Sequence, residues 1–237
     1  MGLTVHYHLK FAGPETLTAG RAVVEQLHAA AKRLPFKRVG DIVALSGDEC
    51  DPDRHDSEGL RWLLIQAGPW VEISGRSMKV RPTRVIAFTA QPGDGSEPMN
   101  IGLCLCPKTI EINDAGVKRR ARTGASGWSW GSFCKTQYAS DPEYGGVQNF
   151  LTCHTSVIAL LDAAAKIDKV SVEVSDEGDY YENRDLEALA KEVGEWDAMV
   201  AAFVGQLKDT LGGAVEAPIL TRPDFEHLEA AGLAKLS

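Results

Sequence analysis

Leu3, Val5, Tyr7, Leu9 and Phe11 alternate with Thr4, His6, His8 and Lys10, the two-residue period of a strand that buries one face. Gly13-Pro14 closes it. Leu17, Val24, Leu27, Ala31 and Leu34 then recur at helical spacing up to Pro35, and Ile42 to Leu45 is apolar again, so the chain opens as a β-α-β unit. An acidic turn region from Gly47 to Ser57 leads to a short helix around Leu60, Leu63 and Leu64 that stops at Gly68-Pro69. The runs Trp70 to Ile73, Lys79 to Val80, Val85 to Thr89, Asn100 to Cys106 and Thr109 to Ile112 are short and parted by Gly and Pro, which predicts an antiparallel meander. From Asn113 to Gly146 the pattern is irregular, and so long a stretch predicts a lid or a binding loop.

Val147, Phe150, Leu151, Val157, Ile158 and Leu161 mark a helix over about 147–166. Val170, Val172 and Val174 alternate with Ser171, Glu173 and Ser175 as a further strand. A polar loop, Asp176 to Glu182, follows. From an N-cap at Asn183 or Asp185, a second long helix carries Leu186, Leu189, Val193, Trp196, Val200, Phe203 and Leu207 on its expected buried side. The loop therefore leaves the carboxyl end of a strand and enters the amino end of a helix, a position where ligands bind in layered α/β structures.

These elements predict an α+β fold with a mixed, largely antiparallel sheet and helices packed on at least one face. Residues 1–212 are expected to form one α+β domain, with 213–237 a C-terminal appendage packing on it. With 237 residues, 44% of them hydrophobic, the chain has the material for a full core. No run of eighteen apolar residues occurs and the strand pattern starts almost at the first residue, which sets the expectation of a cytoplasmic protein with no membrane partner. Five cysteines, an odd number, read as reduced thiols rather than a disulfide framework. A net charge of −8 argues against broad nucleic-acid binding. The one basic cluster, Lys118-Arg119-Arg120-Ala121-Arg122, reads as a solvated loop tip.

Candidate chemistry concentrates in two places. The segment Trp128 to Ser140 is dense in aromatic rings and hydrogen-bonding groups, and exposed aromatic area is costly. Two readings stay open: the rings pin a long connection onto the core, or Trp128, Trp130 and Tyr138 form a ligand wall with Lys135 and Gln137 as polar contacts, joined by Tyr181. The second place is His154, on the apolar side of its helix, with Asp176 or Glu177 as a carboxylate to tune it as acid or base. A structural histidine and a solvated acidic loop, with Gly178 supplying a turn of positive φ, are the plainer alternatives. His6 and His8 share one face of a strand, yet two polar histidines need no metal, and none is assigned. Cys134, beside Lys135 in the chain, is the candidate reactive thiol. Nucleotide-loop, dinucleotide, hydrolase-elbow and zinc-protease motifs are missing, so no cofactor is specified.

The opening Met1 to Tyr7, the segment Phe133 to Ala139 and the segment Glu173 to Glu182 together resemble a group of bacterial proteins to which no function is attached. That resemblance implies a shared fold and supplies neither reaction nor ligand. The expectation is thus a binding module for a small polar ligand or a protein partner, with a polar and aromatic pocket built by Lys135, His154 and the acidic loop. Its alternative is a hydrolase-type enzyme with His154 and Asp176 or Glu177 as acid and base, and Lys135 stabilising negative charge.

Overall fold

The computed structural model describes residues 3–73, 75–114, 117–211 and 217–236. The expected boundary at 212/213, and Met1 and Gly2 of the resembling segment, lie outside them. In chain order the elements are β1 (Thr4–Phe11), α1 (Leu17–Ala31), β2 (Arg38–Val39), β3 (Val43–Ser46), α2 (Glu58–Gln66), β4 (Trp70–Ile73), β5 (Arg76–Lys79), β6 (Arg84–Gln91) and β7 (Met99–Leu105). There follow β8 (Thr109–Asp114), β9 (Val117–Arg122), β10 (Trp128–Lys135), α3 (Gly146–Ala164), β11 (Val170–Asp176), α4 (Tyr180–Asn183), α5 (Leu186–Leu211) and α6 (Phe225–Leu236).

A seven-stranded sheet runs β11-β1-β10-β7-β6-β2, with β3 also on β6, and every pairing among the described residues is antiparallel. The α+β class is as expected. Within it, β1 and β3 lie at some distance: α1 carries the chain across three intervening strands rather than joining neighbours. The expected meander is divided too. Only β6 and β7 belong to the large sheet, while β4–β5 and β8–β9 are separate two-stranded ribbons.

The stretch 113–146 is where sequence and structure part most. It holds β9 and β10, and β10 is an interior strand paired with β1 along its whole length. Trp128 and Trp130 are buried in the main core with Leu9, Phe88, Ile101 and the α1 and α3 residues Leu27, Val157 and Leu161. The Trp128 indole lies so close to α1 that a Cβ at Gly20 would stand 2.7 Å from it, so glycine is needed there for space. Both tryptophans are core residues, and neither forms a ligand wall.

On α5 the buried face is rotated from the apolar stripe. Leu189, Val193, Ala198, Ala201, Ala202 and Val204 are buried, whereas Phe203 is 60% exposed. The cause is α6, which approaches so closely that a Cβ on Gly232 would fall 2.1 Å from the Ala198 carbonyl oxygen. Small residues make that contact because large ones cannot. Asp185 caps α5, its Oδ1 accepting from the N–H groups of Glu187 (2.9 Å) and Ala188 (3.0 Å).

Candidate functional site

After β10 the chain makes two 3-10 turns, Gln137 to Ser140 and Pro142 to Tyr144, before α3, and the first shapes the site. Its residues divide between two sides. Thr136 and Gln137 are buried, while Tyr138 is 52% exposed and Lys135 is half-buried. The same short stretch therefore serves an interior network and a surface pocket.

The interior network joins three distant segments. His154 Nδ1 lies 2.9 Å from Thr136 Oγ1, and His154 Nε2 lies 3.1 Å from Asp176 Oδ2. Asp176 also accepts backbone N–H groups from Gly178 to Oδ1 and from Tyr181 to Oδ2, each at 2.9 Å. Phe150 and Tyr180 flank the imidazole, with ring centroids 5.4 and 6.2 Å away. Both ring nitrogens are thus used, one against the threonine hydroxyl and one against the carboxylate. Burial by itself would raise the Asp176 carboxyl, but the hydrogen bond and charge of His154 and the two N–H donors outweigh it and hold the group below the usual carboxylate range.

Neither the His154 nor the Asp176 side chain has any solvent exposure. Gly178 helps to seal the network. Its φ is not among the positive ones; Asp179 takes the left-handed turn instead, at φ 54°. What requires glycine at 178 is space, because a Cβ would sit 2.6 Å from Leu189 Cδ1 and 3.6 Å from His154 Cε1. With Phe150 and Tyr180 against the ring and no solvent exposure, the dyad that the enzyme reading needs exists as a packed, internally hydrogen-bonded unit.

The other expected members of that site lie elsewhere. Period two turns Glu177 to the opposite side of β11 from Asp176. There its Oε2 accepts from Thr4 N at 3.0 Å and its Oε1 stands 3.9 Å from His6 Nε2. Tyr181 donates its N–H to Asp176, but its ring lies beside the Arg184 guanidinium, 5.0 Å from the ring centroid, and Arg184 grips Asp162 with two bonds of 2.8 and 2.9 Å. Lys135 reaches Tyr138 and lines a pocket that His154 does not border. The lysine, imidazole and acids therefore do not border a common cavity. Cys134 is also misplaced for reaction: it is buried against Ser96 and the Glu97 carbonyl, and burial pushes its thiol well up. Among the described residues, no group of three or more His, Cys, Asp or Glu side chains is placed to hold a metal ion.

On the outer side a pocket of about 520 Å³ opens between the turn after β10, α5 and residues 217–222. Lys135, Gln137 and Tyr138 line it, so the structure brings three of the expected ligand contacts together. Lys135 Nζ is 3.1 Å from the Tyr138 hydroxyl and 4.6 Å from the ring centroid, a cation–π arrangement. Its partners are thus a phenol and a ring. Val200, Val204 and Ile219 supply an apolar wall, and Tyr144 adds a second exposed ring.

The floor is Asp197, a buried carboxylate from α5. It accepts from Ser140 Oγ at 2.9 Å, Arg222 Nη1 at 2.9 Å and Gln137 Nε2 at 3.4 Å. Arg222 also holds Asp224 through Nε and Nη2, both at 3.0 Å. Asp197 and Arg222 did not emerge from the sequence reading, although one signal was present. Asp197 falls four residues after Val193 and four before Ala201, both buried, and a carboxylate on that helical face needs a charged partner. Nothing local identified Arg222, which is 25 residues away.

Compared with known protein families, curated proteins and solved structures, the chain matches none. Among the described residues no helix is long and apolar enough to cross a membrane.

Proposed function

We propose that the protein is a ligand-binding module whose site is the pocket between Lys135, Tyr138 and α5. The ligand class that fits is a small molecule with an apolar body and one negatively charged or strongly accepting group. The observation that carries this reading is Lys135. Its ammonium is held by the Tyr138 hydroxyl and ring instead of a carboxylate, and since Asp141 and Glu143 also line the pocket, the ligand's charged or accepting group is assigned to the Lys135 side. In the same pocket, Val200, Val204 and Ile219 favour burial of hydrocarbon. The Asp197–Arg222 pair, with Ser140 and Gln137, forms a floor that is already internally hydrogen-bonded and so holds its shape without ligand.

A thermal-shift screen of the full chain against carboxylate- and phosphate-bearing metabolites tests it. A ligand at about 100 times its Kd stabilises the native state by about 2.7 kcal/mol, a readily measured rise in Tm. The rise is expected to be lost in Lys135→Ala and Tyr138→Ala, whose unliganded Tm values stay near that of the parent. A screen with no hit, or hits unaffected by both substitutions, rejects the reading.

A further inference from the structure

The basic cluster expected at a loop tip is instead a strand. β8 and β9 leave the body as a ribbon whose base is tied by Thr123, through its N–H to Lys108 O at 3.0 Å and its Oγ1 to Pro107 O at 2.6 Å. Residues directly paired in an antiparallel ladder share a face. The pairs Thr109–Arg122, Glu111–Arg120 and Asn113–Lys118 therefore project to one side, and all six residues are exposed. Ile110, Ile112 and Ala121 turn to the other side and are wholly or partly covered. Lys118, Arg120 and Arg122 form a row on the solvent side, spaced about 7 Å by the strand repeat. Lys118 meets Glu111 at 3.0 Å, while among the described residues Arg120 and Arg122 have no ion-pair partner.

Residues 108–122 hold five Lys and Arg against two Asp and Glu, in a chain of net charge −8. The whole-chain charge conceals this local reversal. A ribbon of six-residue strands is about 20 Å long, more than twice the screening length of about 8 Å at physiological salt, so the acidic body does not cancel the field along it. Cations on a ribbon also deter edge-to-edge pairing, but one charge anywhere on the edge suffices for that and three aligned on one face are not required.

We infer that the β8–β9 ribbon is a docking arm for B-form DNA, with Lys118, Arg120 and Arg122 contacting phosphates. The major groove is wide enough to admit a two-stranded ribbon, whereas that of A-form RNA is too narrow. Guanidinium forks match phosphate oxygens, and contacts of this kind give sequence-independent, salt-sensitive affinity. The arm stands apart from the Lys135 pocket and rests on different residues.

Fluorescence anisotropy of the full chain with a labelled duplex, titrated across salt concentrations, tests the inference. Three phosphate contacts give a slope of log K against log salt of about −2.7, with Kd in the range of roughly 10⁻⁴ to 10⁻⁶ M. Arg120→Gln with Arg122→Gln is expected to reduce the slope to about −0.9 and weaken binding about tenfold or more at low salt. Lys32→Gln with Arg33→Gln, exposed cations at the end of α1, is expected to change neither. Four results would each overturn the inference: no binding at the lowest salt, indifference to the ribbon substitutions, an equal effect of the α1 pair, or tighter binding to single-stranded DNA or polyglutamate than to the duplex.

Discussion

The His154 network and the Lys135 pocket each draw on the stretch Lys135 to Tyr138, the first through Thr136 and the second through the other three residues, yet they are opposite kinds of polar site. Inside, Thr136, His154 and Asp176 make a chain in which every donor and acceptor is used and no water reaches the ring. Outside, Lys135 and Tyr138 engage each other at the mouth of an open volume. The difference teaches that a histidine–carboxylate pair is not by itself a catalytic sign. Full satisfaction in a sealed space converts it into a structural joint, here tying β10, α3 and β11 together. The proposed binding site is the one where charge is only partly matched and space adjoins it.

The comparison breaks most sharply at Asp176. Replacing it with alanine leaves the imidazole and two N–H groups buried without their acceptor, at an expected cost of about 3–5 kcal/mol in urea unfolding. A loss under about 1 kcal/mol would show the network to be no joint at all. Arg222→Ala comes next. It strips Asp197 of its charged partner in a slightly more open setting, so about 2–3 kcal/mol is expected, with faster hydrogen exchange over 217–236.

A pH series sharpens the same contrast. Because the folded state holds the Asp176 carboxyl below its ordinary value, its contribution is complete above the unfolded pKa of about 3.9 and fades as pH falls through the lower folded value. The stability gap between the parent and Asp176→Asn should be constant near neutrality and shrink in acid. A gap that widens on acidification contradicts the assignment. Smallest of all, Lys135→Ala and Tyr138→Ala should each stay within about 0.5 kcal/mol of the parent in the same unfolding assay, as surface changes do. A larger loss would place these two residues with the joint rather than the pocket.

How far the site was legible follows the range of its contacts. His154 beside Asp176 was readable because β11 follows α3 directly and the chain must fold back. Lys135 and Gln137 were picked out by local composition, and both line the pocket beside α5. Trp128 and Trp130 were misread as loop residues because Ser132 at an inward position and Phe133 at an outward one interrupt the alternation that makes β10 a strand. The carboxylate of Asp197 was hidden within an apolar stripe, and Phe203 suggested a buried face that α6 displaces.

What the sequence determined by itself is the set of elements with strong periods, β1, α1, α3, β11 and α5, together with the α+β class, since alternation and helical spacing act over neighbouring residues. What only the tertiary structure decided is the partnership of β1 with β10, the sealing of His154, the meeting of Asp197 with Arg222 and the alignment of cations on the β8–β9 ribbon. Each of these depends on segments far apart in the chain, or on which face of an element its packing leaves open, and local pattern holds no record of either.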